Sequence, residues 1–234
     1  NEENKIIDIV NNYQDISFNF GPTLLSWMEL YDKDAYEAVI MADMKSRQRF
    51  GGHGNALAQV YNHIIMPLAT PRDRNTQIIW GIADFEKRFN RKPEGMWLAE
   101  TAVDTATLEL LAQHNILFTI LAPRQAKAFR KLNDDQWQTI NENQLDTAIP
   151  YAYKLPSGRT IALFFYNGQI SREVAFNGLL NSGKLFADRL IAATRDTEQP
   201  QLIHIATDGE SYGHHHYRGD MALASCIDYL KKNK

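Results

Sequence analysis

The chain has 234 residues and a mass of 26.8 kDa, with 44% hydrophobic and 23% charged residues. That suits one folded domain with a buried core and excludes a disordered tail, a collagen-like repeat or a disulfide knot. The 25 basic and 28 acidic residues leave a net charge of −3, so electrostatics argue for neither a nucleic-acid nor an anionic-membrane partner.

Cys226 is the only cysteine and cannot form an internal disulfide, which favours the cytoplasm. No apolar run approaches the roughly 20 residues of a membrane span, and no signal peptide is visible. The first residue is Asn1, and residues 221–234 read as a helix with nothing after it; both ends are expected to be cuts from a longer protein.

Residues 15–20 alternate as a short strand closed by Gly21-Pro22. Residues 34–47 carry Tyr36, Val39, Ile40 and Met44 at helical spacing, and Gly51-Gly52-His53-Gly54 ends that helix. Residues 56–68 read as a strand followed by a loop at Pro67. Residues 75–90 form the clearest helix, with Ile78, Ile79, Ile82, Phe85 and Phe89 on one face and Trp80 beside it as core. Residues 95–100 are a buried strand. Asp104 caps a helix bearing Leu108, Leu111 and Ala112, and residues 116–121 are another buried strand. Residues 124–158 are irregular, apart from a strand at 148–154 and a turn at Pro156-Ser157-Gly158. Residues 160–166 are a strong strand. Residues 171–195 are mostly helix, broken at Gly178 or Gly183; 201–206 are a strand and 219–232 the last helix. About six strands alternating with helices predict an α/β fold of parallel units. Either an incomplete barrel or an open doubly wound sheet fits this pattern.

In such folds reactive groups gather at the carboxyl ends of strands. Glu100 ends Met96-Trp97-Leu98-Ala99, Asp208 and Glu210 follow Ile203-His204-Ile205-Ala206, and Asn19 and Asn167 end two further strands. Two carboxylates facing one cleft suit glycoside hydrolysis; acids at strand ends also serve as helix N-caps. His214-His215-His216 beside Asp208 and Glu210 is either part of a metal site or a polar loop with one histidine on a ligand. Consecutive side chains rarely converge on one ion, which favours the loop. His53 and His63 flank glycine-rich and Tyr-Asn-His segments, where they either meet a ligand or satisfy backbone groups. His114, at a helix end, and His204, inside a strand, read as structural or supporting groups. Trp97 points opposite to Glu100 on a regular strand and is either core or a cleft wall. There is no Walker motif, dinucleotide fingerprint or Gly-x-Ser-x-Gly elbow.

Together these segments resemble glycoside hydrolase family 57, which includes α-amylases, 4-α-glucanotransferases and branching enzymes. Gly95-Met96-Trp97-Leu98-Ala99-Glu100 resembles the family's nucleophile motif. Ala206-Thr207-Asp208-Gly209-Glu210-Ser211-Tyr212-Gly213 resembles its acid/base motif. Tyr61-Asn62-His63 with Pro67-Leu68, and Asn19-Phe20-Gly21-Pro22-Thr23-Leu24, resemble two more of its regions. The matches fall in family order from about residue 15 to about residue 224, nearest to a bacterial subgroup.

The resemblance implies an incomplete (β/α)7-type barrel and a retaining double displacement on α-glucan oligo- or polysaccharides. Glu100 would be the nucleophile and Asp208 the acid/base, its proton favoured by burial and by the Glu100 charge. His53, His63, Trp97, Glu210, His214 and Asn19 would bind substrate, with no metal and no cofactor. The chain lacks the family's opening His-Gln-Pro type motif and the helical domain after the barrel. The expectation is therefore a single barrel domain without its first strand, prone to self-association at the open edge. The alternatives are a metal-dependent polysaccharide deacetylase using Asp208 with His53, His63 or His214, and a carbohydrate-binding fragment without turnover.

Overall fold

The computed structural model describes residues 8–233. Helix α1 (Pro22–Tyr31) opens on a proline, whose missing N–H is not needed at a helix start. Helix α2 (Lys33–Arg49) begins after Asp32, whose carboxylate accepts from the Ala35 N–H at 3.3 Å. The periodicity of residues 34–47 is obeyed only in part. Val39 is buried but Met44 is exposed, and the inner face is completed by Ala42, Asp43 and Ser46.

Asp43 is held in the interior by Arg91, which donates to its carboxylate at 2.7 and 3.0 Å, and by the Ala56 N–H at 2.8 Å. Helix α3 (Pro71–Phe89) is capped by Thr70 and ends on Asn90 in the left-handed region. At Gly81 an added Cβ would overlap the Gln59 carbonyl, so α3 rests directly on the backbone beneath it. Trp80 is 51% exposed and packs edge-on against Tyr61 rather than in the core, and Ile79 is exposed beside it.

The strands are short: β1 (Ala58–Gln59), β2 (Met96–Trp97), β3 (Phe118–Leu121), β4 (Ala128–Phe129), β5 (Gln138–Thr139), β6 (Tyr151–Lys154) and β7 (Thr160–Phe165). Phe18 bridges Ala56 in parallel, β1 runs parallel to β2, Gly95 bridges Phe118 in parallel, and β3 runs parallel to β7. The Asn167 N–H then donates to the His204 carbonyl at 2.8 Å. Six segments thus follow one another in sequence order as spatial neighbours, and helices α1, α2, α3, α4 (Thr105–Gln113), α5 (Gly168–Phe176) and α6 (Gly183–Ile191) fall between them.

Several expectations are corrected. The 15–20 segment contributes a single bridge at Phe18, and 202–206 is hydrogen-bonded without forming a regular strand. The arrangement is mixed rather than parallel throughout. Strand β6 is antiparallel to β7, because the turn at Gly158 (φ +84°) is far too short for a crossover. Strands β4 and β5 form a separate antiparallel pair. The helix over 171–195 is interrupted as expected, between Phe176 and Gly183, which opens α6. Gly178 is left-handed (φ +72°), and a Cβ on Gly183 would lie 2.6 Å from the Ala222 carbonyl of α7 (Gly219–Lys232).

The main core gathers Phe18, Val39, Met66, Ile78, Phe85 and Leu111 among others. A second cluster joins Ile170, Val174, Phe186, Leu223 and Cys226, and burial pushes the Cys226 thiol up to about 12. No described helix is long and apolar enough to cross a membrane.

Candidate active site

Parallel pairing gives the segments a common direction, so their carboxyl ends share one side. Glu100 lies there, three residues beyond β2. The strand stops at Trp97, and the buried Leu98 and Ala99 lead into a one-turn helix at Ala99–Thr101. Glu100 (φ 54°, ψ 20°) and Thr101 (φ 54°) are both left-handed. The alternation that sets Trp97 against Glu100 therefore ends before reaching it. Each non-glycine residue in this region costs roughly 1–2 kcal/mol, and a β-branched threonine is a genuine outlier. Two short bonds hold the turn: Thr101 N–H to the Leu98 carbonyl and Ala102 N–H to the Ala99 carbonyl, each at 2.9 Å. Glu100 is exposed between two buried neighbours.

Asp208 follows the 202–206 segment, which is tied to the start of α5. The Ala206 N–H donates to Ser171 Oγ at 3.2 Å, and Ser171 Oγ donates to the Asn167 carbonyl at 2.9 Å. Asn167 also caps α5 through the Ile170 N–H at 3.0 Å. Beyond Asp208 the chain makes a short helix, Gly209–Tyr212, whose Tyr212 hydroxyl lies 2.9 Å from Thr207 Oγ1. Burial pushes the Tyr212 phenol above its ordinary value. Asp208 is exposed, unlike the buried setting expected for it. Among the described residues no hydrogen bond or ion pair reaches the Glu100 or Asp208 carboxylate.

His63 is exposed and left-handed (φ 54°), at the end of a loop fixed by α3. Gln77 accepts from the Asn62 N–H at 2.6 Å and donates to Asn62 Oδ1 at 2.7 Å. Asn19 donates to the buried Gln59 at 2.7 Å, and Gln59 stands opposite Trp97 in the β1–β2 register. Asn19 and Trp97 are thereby neighbours through Gln59.

Glu210 and His214 lie in the loop after Asp208, closed by the His215 N–H on the Glu210 carbonyl at 2.9 Å. The histidine run divides its roles. His214 and His215 meet edge-on at 4.9 Å, whereas His216 Nε2 lies 2.9 Å from the Ala175 carbonyl. His53 is not brought to this side. It precedes the 56–59 segment, and its Nδ1 lies 2.8 Å from Glu94, which precedes β2, so the pair marks the amino ends of the strands. Among the described residues no group of three or more His, Cys, Asp or Glu side chains is placed to hold a metal ion.

His114 is structural, with Nε2 2.7 Å from Asn75 Oδ1. His204 packs edge-on to Phe164, burial lowers its pKa, and its buried Nε2 has no hydrogen-bond partner among the described residues. Sequence reasoning missed Gln59, Gln77 and Ser171. Gln77 carried one usable signal, a polar residue next to Ile78 on the inner face of α3.

The fold resembles solved structures at low identity. An exo-type maltose-forming amylase from Pyrococcus sp. ST04 matches with a TM-score of 0.70 and 18% identity, covering 94% of this chain and 35% of its own. A 4-α-glucanotransferase from Thermococcus litoralis matches with 0.70 and 17%, covering 95% and 32%. A branching enzyme from Pyrococcus horikoshii matches with 0.59 and 17%, covering 90% and 50%. The chain thus spans about a third of the first two and half of the third. A search of curated proteins returns no match. The sequence profile of glycosyl hydrolase family 57 matches residues 11–234, nearly the whole chain. The chain belongs to glycosyl hydrolase family 57.

Proposed function

We propose that this chain carries the catalytic pair of a retaining hydrolase or transglycosylase of α-glucan oligo- or polysaccharides. Family membership and the α-glucan activities of the similar structures support the substrate class. The observation that carries the residue assignment is the pair of consecutive left-handed residues, Glu100 and Thr101, at the end of β2. Strained backbone that the surroundings hold in place concentrates at functional sites.

In the first step a Glu100 oxygen attacks the anomeric carbon while the glycosidic bond breaks, and the Asp208 proton passes to the leaving oxygen. In the second, the Asp208 carboxylate takes a proton from water or an acceptor sugar hydroxyl, whose oxygen attacks the same carbon and releases Glu100. This requires the carboxyl groups to work about 5–5.5 Å apart. Asn19, His63, Trp97, Glu210 and His214 contact the sugar; His53 has no part in that cleft.

The six neighbouring segments are read as strands of an incomplete (β/α)7 barrel. Its edge beside Phe18 is where a second copy of the chain would pair. The single buried thiol, Cys226, fits a cytoplasmic setting.

The test is turnover of maltooligosaccharides by wild type, Glu100→Gln and Asp208→Asn. Both variants should lose activity, Asp208→Asn by about 10²–10⁴-fold. Unchanged turnover in either variant contradicts the assignment, and binding without product in the wild type makes the chain a carbohydrate-binding module.

A further inference from the structure

Beyond β3 the chain makes one short turn, Pro123–Gln125. Both polar atoms of the Gln125 side chain are engaged. Its Oε1 accepts from the Ala122 N–H at 2.8 Å, and its Nε2 donates to the Thr101 carbonyl at 2.6 Å. The first bond is a local cap. The second crosses to a residue 24 positions away in sequence and is not needed to form the cap. Ala122 and Thr101 are both buried.

Strands β2 and β3 are already joined lower down, by the Gly95–Phe118 bridge and by Thr119 Oγ1 on the Met96 carbonyl at 2.8 Å. Gln125 extends that connection to the turn after β2, where Glu100 and Thr101 hold their left-handed conformations. Rotating Thr101 toward the ordinary helical region swings its carbonyl and breaks the bond to Gln125. The bond therefore favours the strained form.

We propose that Gln125 is a positioning residue: it locks the Thr101 carbonyl, keeps Glu100 in the left-handed turn, and so aims the Glu100 carboxylate. The catalytic consequence rests on the reading of Glu100 as nucleophile; the conformational one does not.

Two variants of the full chain separate the two claims. In Gln125→Glu the new carboxylate still accepts from Ala122 but has no hydrogen for Thr101 at neutral pH. Below its pKa of about 4.3 it becomes a donor again. Gln125→Met removes both bonds at every pH. The readouts are amide hydrogen exchange at Thr101 and Ala102, corrected for intrinsic rates, and kcat and KM on maltooligosaccharides. Core amides in α4 and β7 report whether the fold is intact.

At pH 7 both variants should exchange faster at Thr101 and Ala102, with core protection kept. Protection should return in acid for Gln125→Glu and not for Gln125→Met. A displacement of the order of 1 Å at the nucleophile corresponds to about a 10²-fold loss of kcat, with KM little changed. Wild-type exchange at Thr101 and Ala102 in both variants overturns the proposal, as does faster exchange with kcat intact. Faster exchange in a chain whose wild type has no glycosidase activity keeps the conformational role and removes the proposed function instead.

Discussion

Replacing Asp43 with alanine should remove a large part of this chain's stability. Only 2% of the Asp43 side chain is exposed, and the paired Arg91 side chain is 10% exposed. Arg91 reaches the carboxylate through Nε at 3.0 Å and Nη2 at 2.7 Å, and Nη2 also donates to the Ala56 carbonyl at 2.8 Å. The Ala56 N–H donates to the same carboxylate at 2.8 Å. Ala56 in turn bridges Phe18, so one carboxylate ties α2 to the first two segments and to the approach to β2.

Truncation leaves a buried guanidinium without its counter-charge and a buried N–H without an acceptor, a loss of about 3–5 kcal/mol. Domains of this kind are stable by only about 5–15 kcal/mol in total. Asp43→Asn keeps the shape and loses at least one charge-assisted bond, about 1.5–3 kcal/mol. The assay is urea unfolding followed by tryptophan fluorescence. With a slope near 2 kcal/mol/M, the midpoint for Asp43→Ala should fall by about 1.5–2.5 M. Pairing Asp43→Leu with Arg91→Met should cost less than Asp43→Ala alone, because no charge is then stranded. A loss under about 1 kcal/mol for Asp43→Ala, the range of exposed ion pairs, would refute the buried-pair reasoning.

Other outcomes follow from the packing and the titration of single residues. Gly81→Ala should destabilise by about 1–3 kcal/mol from overpacking against the Gln59 carbonyl, although alanine is the better helix former by about 1 kcal/mol; a gain in thermal midpoint would contradict the close approach of α3 to β1. His204 is held below its ordinary value chiefly by burial, so the unfolded chain takes up the proton first as pH falls. Wild-type stability should therefore decline from about pH 6.5 downward, by up to about 1.4 kcal/mol per pH unit, until the folded value is passed. His204→Gln should flatten that decline in pH-dependent urea titrations; an unchanged slope would show that the group does not titrate differently on folding.

Much of the helical framework was legible because its ends carry chemical signals. Asp104 accepts from the Thr107 N–H at 2.8 Å as a cap should, and the helix drawn over 171–195 is interrupted around Gly178 and restarts at Gly183. Helix α1 was not legible. Leu24, Trp27, Leu30 and Tyr31 are exposed and only Pro22, Leu25 and Met28 are buried, so its apolar residues show no one-sided period. The direction of β6 was readable in principle from the length of the turn at Pro156-Ser157-Gly158.

The two carboxylates are proposed from where they end their segments and from family motifs, whereas the conformation of Glu100 was hidden. Glycine and asparagine announce a left-handed residue; glutamate and threonine do not. His53 was grouped with the cleft only by the family resemblance, and strand direction sends it to the opposite end, beside Glu94. Gln125 and Thr101 are joined only through tertiary structure, which no local pattern reveals.

In the proposed mechanism Glu100 attacks the sugar. The most direct measurement is peptide mapping by mass spectrometry after incubation with 5-fluoro-α-glucosyl fluoride, which slows release of a covalent glycosyl intermediate. One sugar adduct is expected, on the peptide containing Glu100, and none in Glu100→Gln. An adduct on another carboxylate, or turnover of α-glucan by Glu100→Gln, would contradict it.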